Sequence, residues 1–295
     1  MLNAMPREDE LEILRRAYAK QIVHAARASD PRLEDALAKL RREDFLGLGP
    51  WELMRFPGGY QMTPDDDPVY LYQDVPVAII PAKGLNNGQP SFLTSLVSVG
   101  ALREGERAVH IGTGTGYYTA VMSRLAGRSG QVIGIEFEPE LAARARANLA
   151  GFCNVDIIEG DGSTAPLQPA DVIFVNAGAS RPAGIWLDAL RPGGRMILPL
   201  TVRYITEQGH AMTRGAVFLI TRDRSGYAAR CVSGVHIYPC AGLRDEASEK
   251  ALRVAFENGG FESGDLARIT RLHRSDEIPD QRCWVRAPGW SLAYD

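Results

Sequence analysis

Hydrophobic positions recur along this chain at two spacings, one helical and one typical of buried strands. In "EDELEILRRAYAKQIVHAARA", residues 8–28, Leu11, Leu14, Tyr18, Ile22 and Ala25 fall on one face of a predicted helix. Asp30-Pro31 breaks the run and opens a second helix, with Asp30 as cap, Pro31 at its first position, and Leu33, Leu37 and Leu40 along it. Residues 45–85 are rich in Pro, Gly and Asp and read as loop, apart from the apolar run "VPVAII" at 75–80, which fits no single element. Helical character returns over 90–102.

From residue 107 the pattern alternates. "RAVHIG" reads as a buried strand, "YYTAVMSRLAG" as a helix ending on Gly127, "QVIGIEF" as a strand, and "PELAARARANLAG" as a helix with Pro139 near its start and Gly151 past its end. "NVDIIEG", "ADVIFVNAG" and "RMILPL" add strands, and "RPAGIWLDALRPGG" a helix and turn. "RGAVFLIT" and "YAARCVSGVHIY" are joined through Arg222 to Ser225 as an antiparallel pair. "DEASEKALRVAFENGG" reads as a late helix. Strands alternating with helices of this length predict βαβ units, hence an α/β, doubly wound, mostly parallel sheet. Three divisions follow: 1–85, an N-terminal helical and loop extension packed on the core; 86–242, the core; and 243–295, a C-terminal extension in which Trp284 and Trp290 cap the fold or mark an interface, capping being preferred.

Composition changes this picture little. At 295 residues, 45 % hydrophobic and 23 % charged, the chain can bury a substantial core. A formal net charge of -3 argues against a nucleic-acid surface. Arg15, Arg16, Lys39, Arg41 and Arg42 are interleaved with Glu12, Glu34, Asp35, Glu43 and Asp44, which reads as solvated helix faces. Cys153, Cys231, Cys240 and Cys283 have neither zinc-site nor C-x-x-C spacing, so no metal is expected and a reducing, cytoplasmic setting fits. No apolar run is long enough to predict a membrane span, and the start of the chain is charged rather than signal-like.

The candidate chemistry sits in "HIGTGTGYYTA", which follows a predicted strand and opens a helix, as a nucleotide-binding glycine loop must. Gly112, Gly114 and Gly116 permit a tight turn and close approach of a ligand to backbone. Tyr117 stands where a dinucleotide loop wants its third small residue, which disfavours a nicotinamide cofactor. S-adenosylmethionine has no pyrophosphate and does not need that strict form. Glu136 ends the next strand, 20 residues past Gly116, where a carboxylate accepts hydrogen bonds from both ribose hydroxyls. Glu138 is the alternative, or simply the first-turn acid of the following helix. Asp161-Gly162 follows the third strand, placed to hold the adenine amino group and leave room for the ring.

These segments resemble the protein-L-isoaspartate O-methyltransferases. The likeness covers about residues 10–242 and is carried by "VHIGTGTGYYTAVMSRLAG", "GQVIGIEFEPELAARARANL", "EGDG", "ADVIFVNAGA", "LDALRPGGRMILPL" and "GVHIYP", with "YAKQIVHAARASDPRLEDALAKLRREDFLG" similar to that family's opening helices. The resemblance implies a Rossmann-like, seven-stranded S-adenosylmethionine-dependent methyltransferase core. It also implies methylation of the free carboxylate of isoaspartyl residues in damaged proteins, with a protein or peptide as partner and neither nucleic acid nor membrane. It sets His110, Gly112, Thr113, Gly114, Gly116, Glu136, Asp161, Gly162 and Asn176 around the cofactor. "LNNGQPSFLTSLV" takes the place of the substrate-side segment, so Asn87, Gly88, Gln89 and Ser91, with Asn86 nearby, become the acceptor-side residues. Two departures stand out: Gly88 where the family has a small hydroxyl residue, and His110 where it has an acid. They leave open a diverged methyltransferase acting on another carboxylate or peptide, and a catalytically silent cofactor-binding or partner protein.

Overall fold

The computed structural model describes residues 7–55, 58–205 and 211–294. These fold as two compact units: one holds residues up to 105, 113–134 and 138–157, the other 106–112, 135–137 and 158 onward.

The first unit begins with helices α1 (Arg7–Ala25), α2 (Pro31–Lys39) and α3 (Glu43–Leu46), and adds α4 (Pro90–Gly100), α5 (Tyr117–Ala126) and α6 (Pro139–Asn148). Asp30 caps α2 as expected, its side chain accepting from Arg32 N at 2.9 Å. The buried face of α1 differs from the predicted one: Leu11, Arg15, Tyr18, Ala19 and Ile22 are buried, whereas Ala25 is exposed. Two of the arginines assigned to solvent are therefore interior. Arg15 is 7 % exposed and pairs with Glu8 at 2.9 Å, and Arg42 is 1 % exposed. Arg42 donates to the carbonyls of Leu71 and Gln73 and lies over the Tyr18 ring, so backbone oxygens and an aromatic face replace water around its charge.

Residues 45–85 are more ordered than their turn-rich composition predicts. Strands β1 (Glu52–Arg55) and β2 (Gly59–Met62) form an antiparallel hairpin, a 3-10 turn spans Pro68–Leu71, and β3 (Ala78–Ile80) pairs with β4 (Leu85–Asn86). The segment is held by a small core of Leu46, Trp51, Leu53, Leu71 and Val77. Its proline and glycine residues mark turns between strands too short to leave a periodic signature.

The second unit contains β5 (Arg107–Ile111), β8 (Ala170–Val175), α7 (Gly184–Ala189), β9 (Leu190–Ile205), β10 (Ala211–Asp223) and β11 (Gly226–Ile237). It also contains the carboxyl tips of β6 (Gln131–Glu136) and β7 (Val155–Glu159). Beyond these come α8 (Glu246–Asn258), α9 (Asp265–Arg268), β12 (Arg271–His273), β13 (Cys283–Ala287) and β14 (Trp290–Ala293). One sheet runs in the order β13-β14-β12-β11-β10-β9-β8-β5-β6-β7. Strands β8 and β5, and β8 and β9, are parallel; β10 and β11 form the expected antiparallel pair. The seven strands β5–β11 are the expected sheet, and the C-terminal extension lengthens it by pairing β12 to β11. Trp284 and Trp290 are both buried there, their indole N–H groups donating to Gly259 O at 2.6 Å and Ser248 Oγ at 3.1 Å, the capping role predicted for them. Among the described residues no helix is long and apolar enough to cross a membrane.

Candidate active site

In the second unit the strand order reverses between β5 and β8, and open α/β sheets bind ligands beyond the carboxyl ends of strands at such a point. Several residues singled out in the sequence gather at these ends. Asn176, just after β8, donates its backbone N–H to Ile111 O at 2.8 Å and its side-chain amide to Gly112 O at 3.4 Å. Gly112 adopts φ 78°, and a β-carbon there would lie 3.0 Å from Asn176 O, so this position demands glycine twice over. Gly112 N donates to Ile135 O and Gly160 N to Glu136 O, each at 2.9 Å, which sets the tips of β5, β6 and β7 side by side.

Glu136 closes β6 at 6 % exposure. In the first unit its alternative, Glu138, is the cap residue of α6 and is paired with Lys83. Asp161, following β7, accepts the Ser163 backbone N–H at 2.8 Å. The bare face of Gly162 is not open: a β-carbon there would meet Ile111 Cγ2 at 2.4 Å. Its carbonyl accepts the indole N–H of fully buried Trp186 at 2.7 Å, a brace the sequence reading did not include. Two carboxylates at neighbouring strand tips are acceptors suited to a pair of hydroxyls and an exocyclic amine, and in that sense the residues fit an adenosyl group.

His110 lies fully buried in β5 with its ring edge-on to Phe174 at 5.3 Å. Burial lowers its pKa to about 3, so the imidazole is neutral at physiological pH. Cys240 shows the opposite shift for the same reason: burial, helped by the nearby Asp161 charge, pushes its thiol up to about 11.

The first unit carries the rest of the glycine turn. Gly116 caps α5 at φ 98°, and a β-carbon on it would strike Leu149 Cδ1 at 2.7 Å. Asn148, at the end of α6, braces the turn by donating to Thr115 O at 2.9 Å. Thr113 is 5 % exposed and crowds Gly134, whose β-carbon would lie 2.6 Å from its hydroxyl. Beside Gly114 there is space, since a β-carbon would find its nearest neighbour, Ile79 Cδ1, only at 4.0 Å. Tyr117 is buried and turns edge-on to Phe45 and Tyr118, which explains how the helix starts with so large a residue.

The acceptor-side segment lies in the same unit. Asn87 is doubly tied to Val77, donating its N–H to the carbonyl at 3.0 Å and accepting the Val77 N–H on Oδ1 at 2.8 Å. Asn86 Oδ1 accepts the Gly88 N–H at 2.8 Å. Asp74 receives the Ser91 N–H at 2.7 Å and the Gln89 side-chain amide at 3.3 Å. A carboxylate of the chain itself therefore sits at the start of α4. Gly88 adopts φ 75°, and a β-carbon there would lie 2.4 Å from Leu93 Cδ1, which accounts for glycine at this place.

The family model described as protein-L-isoaspartate(D-aspartate) O-methyltransferase matches residues 20–214. Protein-L-isoaspartate O-methyltransferase 2 of Archaeoglobus fulgidus is 35% identical over 175 residues, covering 58% of this chain and 79% of the relative. The protein-L-isoaspartate O-methyltransferase of Ignicoccus hospitalis is 40% identical over 172 residues, with coverages of 57% and 77%. A solved protein-L-isoaspartate O-methyltransferase superposes with a TM-score of 0.61 at 24% identity over 82% of this chain and 69% of its own. One from Plasmodium falciparum, solved in complex with S-adenosyl-L-homocysteine, gives 0.58 at 19% identity over 77% of this chain and 97% of its own. At these identities the two structures speak to the fold.

Proposed function

Because the chain belongs to the protein-L-isoaspartate(D-aspartate) O-methyltransferase family, we propose that it methylates the free α-carboxylate of isoaspartyl residues in damaged proteins, using S-adenosyl-L-methionine. The observation that carries this is the pair of carboxylates, Glu136 and Asp161, at adjacent strand tips beside the switch point of the sheet.

The cofactor, when bound, supplies an electrophilic methyl group on a positively charged sulfur. Glu136 accepts from the ribose hydroxyls and Asp161 from the adenine amino group. The backbone of Gly112, Thr113, Gly114 and Gly116 provides the turn against which the ligand lies. Gly162 and Asn176 hold that geometry, while His110, a neutral ring sealed in β5 against Phe174, shapes the strand end rather than meeting the ligand. The acceptor carboxylate has a pKa of about 4 or below and is already ionised at neutral pH, so no general base is required. The chain's work is alignment of a carboxylate oxygen with the methyl carbon, an effect worth roughly 7–11 kcal/mol.

On the acceptor side, the N–H groups of Gly88 and Ser91 already serve Asn86 and Asp74. The side-chain amides of Asn87 and Gln89, the latter giving up its 3.3 Å bond to Asp74, are the groups we assign to the incoming carboxylate. Asn87 turns its oxygen to Val77, which leaves its NH2 as the donor. A groove of about 430 Å³, lined by Leu48, Trp51, Met62, Ala78 and Ile79 among others, adjoins β3, in the same unit as the acceptor segment. A cytoplasmic location belongs to the same proposal, as does the division into a core at 86–242 with extensions at either end.

Incubation with methyl-labelled cofactor and an isoaspartyl peptide is expected to yield a base-labile methyl ester, with none on the matching aspartyl peptide. Cofactor binding by calorimetry without ester formation would overturn the activity and leave a silent binding protein. Ester on a different carboxylate would identify a diverged acceptor, the outcome toward which Gly88 points.

A further inference from the structure

We propose that Gly242 is a positioning residue for cofactor recognition: its missing side chain gives the Asp161 carboxylate the place from which it accepts the adenine amino group. The inference rests on the reading above in which Asp161 has that role.

The Asp161 turn is fixed on its own side. Its Oδ1 accepts the Ser163 N–H at 2.8 Å, and its carbonyl accepts the N–H groups of Thr164 at 3.1 Å and Ala165 at 2.8 Å. The Ser163 hydroxyl reaches across to Gly242 O at 3.1 Å. A β-carbon on Gly242 would lie 1.7 Å from Asp161 Oδ2 and 2.2 Å from its carboxyl carbon, so carboxylate and side chain cannot share the space.

The segment carrying Gly242 is held as firmly. Gly178 N donates to Tyr238 O at 2.6 Å, Cys240 N to Gly178 O at 2.9 Å, and Ser180 N to Leu243 O at 3.1 Å. Asp245 N donates to Ser180 Oγ at 2.7 Å, and Arg244 to Gly178 O at 3.1 Å. Any side chain at 242 is therefore relieved most readily by rotating Asp161 off its Ser163 bond. The demand for glycine comes from the carboxylate alone. Among the described residues fourteen glycines adopt positive φ and Gly242 is not one of them, so its backbone accepts an alanine without strain. A residue some 80 positions away in sequence thus sets the rotamer of the adenine-reading acid.

The test compares binding of S-adenosylhomocysteine with its 6-oxo analogue, S-inosylhomocysteine, by calorimetry. The wild type is expected to prefer the amino compound by about tenfold or more, because the analogue turns a carbonyl toward the carboxylate. In Gly242→Ala that preference should fall to about twofold or less while the melting temperature and the circular dichroism spectrum hold. Ser163→Ala, which removes only the hydroxyl tie to Gly242, should lower the preference part of the way and decides the matter if the glycine variant does not fold. Full preference retained in the folded variants would overturn the role of Gly242 and leave that of Asp161 standing. A wild type with no preference would overturn both.

Discussion

A histidine sealed inside β5 gives the clearest consequence at the scale of single residues. His110 is fully buried and its pKa falls from 6.5 to about 3, because burial disfavours the charged ring. The unfolded chain takes up a proton near pH 6.5, whereas the folded one does not until near pH 3. Between those values the unfolded state binds one proton more, so the stability due to His110 is complete above about pH 6.5 and drains away as pH falls, at about 1.4 kcal/mol per unit. Urea unfolding at pH 6 and pH 5 should show a steeper loss in the wild type than in His110→Gln by about that amount. Equal slopes would mean that the ring is protonated within the fold. The same logic of burial explains why two arginines were misplaced by sequence. Hydropathy counts Arg15 and Arg42 as surface residues, and nothing local announces that Glu8, two loop carbonyls and a tyrosine ring will surround them.

At the scale of elements, legibility tracks how far apart in sequence the deciding partners lie. The boundaries of α2, α5 and α6 could be read because their signals, Asp30-Pro31, Gly127 and Pro139, are adjacent to the helices they delimit. The short strands between residues 45 and 85 could not, since their hydrophobic support comes from Leu46, Leu71 and Val77 collected across the segment. The site divides in the same way. The glycine turn and the two acids follow strand ends, which periodicity along the chain locates, whereas the braces Asn148 and Trp186 act across 33 and 24 residues. Asp74 is a further case, a remote cap for α4, whose own cap position, Gln89, makes no side-chain cap bond. Removing it in Asp74→Ala should cost about 1 kcal/mol, in the range of lost helix caps. It should also raise KM for an isoaspartyl peptide several-fold with S-adenosylhomocysteine affinity unchanged. Asp74→Asn keeps an acceptor for Ser91 N–H and should recover most of the loss. An alanine variant with wild-type KM would show that the cap stabilises α4 without arranging the acceptor segment.

For the molecule as a whole, the open question is why a methyltransferase sheet whose family match ends at residue 214 carries a further extension from residue 243 onward. The second unit answers in terms of exposed edges and faces. Without β12, strand β11 would end the sheet with unpaired backbone groups at Tyr227 and Ala228, the kind of edge that recruits other chains. Trp284 meets Phe256 edge-on at 5.0 Å and Phe218 at a tilt at 5.9 Å, and Phe218 belongs to the core strand β10 at 0% exposure. Arg244 and Glu249, 2.6 Å apart and each under a tenth exposed in the side chain, fasten the start of the extension to Gly178 and Thr201. Glu249 also accepts the Arg203 N–H at 2.6 Å, so β9 and α8 share one acid. The extension is thus an integral part of the sheet's packing. Ending the chain after Leu243 should remove the aromatic cover from Phe218 and leave Glu249's partners without their acid. The truncated protein is expected to aggregate on expression, and any soluble fraction to unfold without a sharp cooperative transition in urea. A truncated chain that stays monodisperse, melts like the full chain and binds S-adenosylhomocysteine equally well would mean that β5–β11 close their own core, and that the extension serves something other than the sheet.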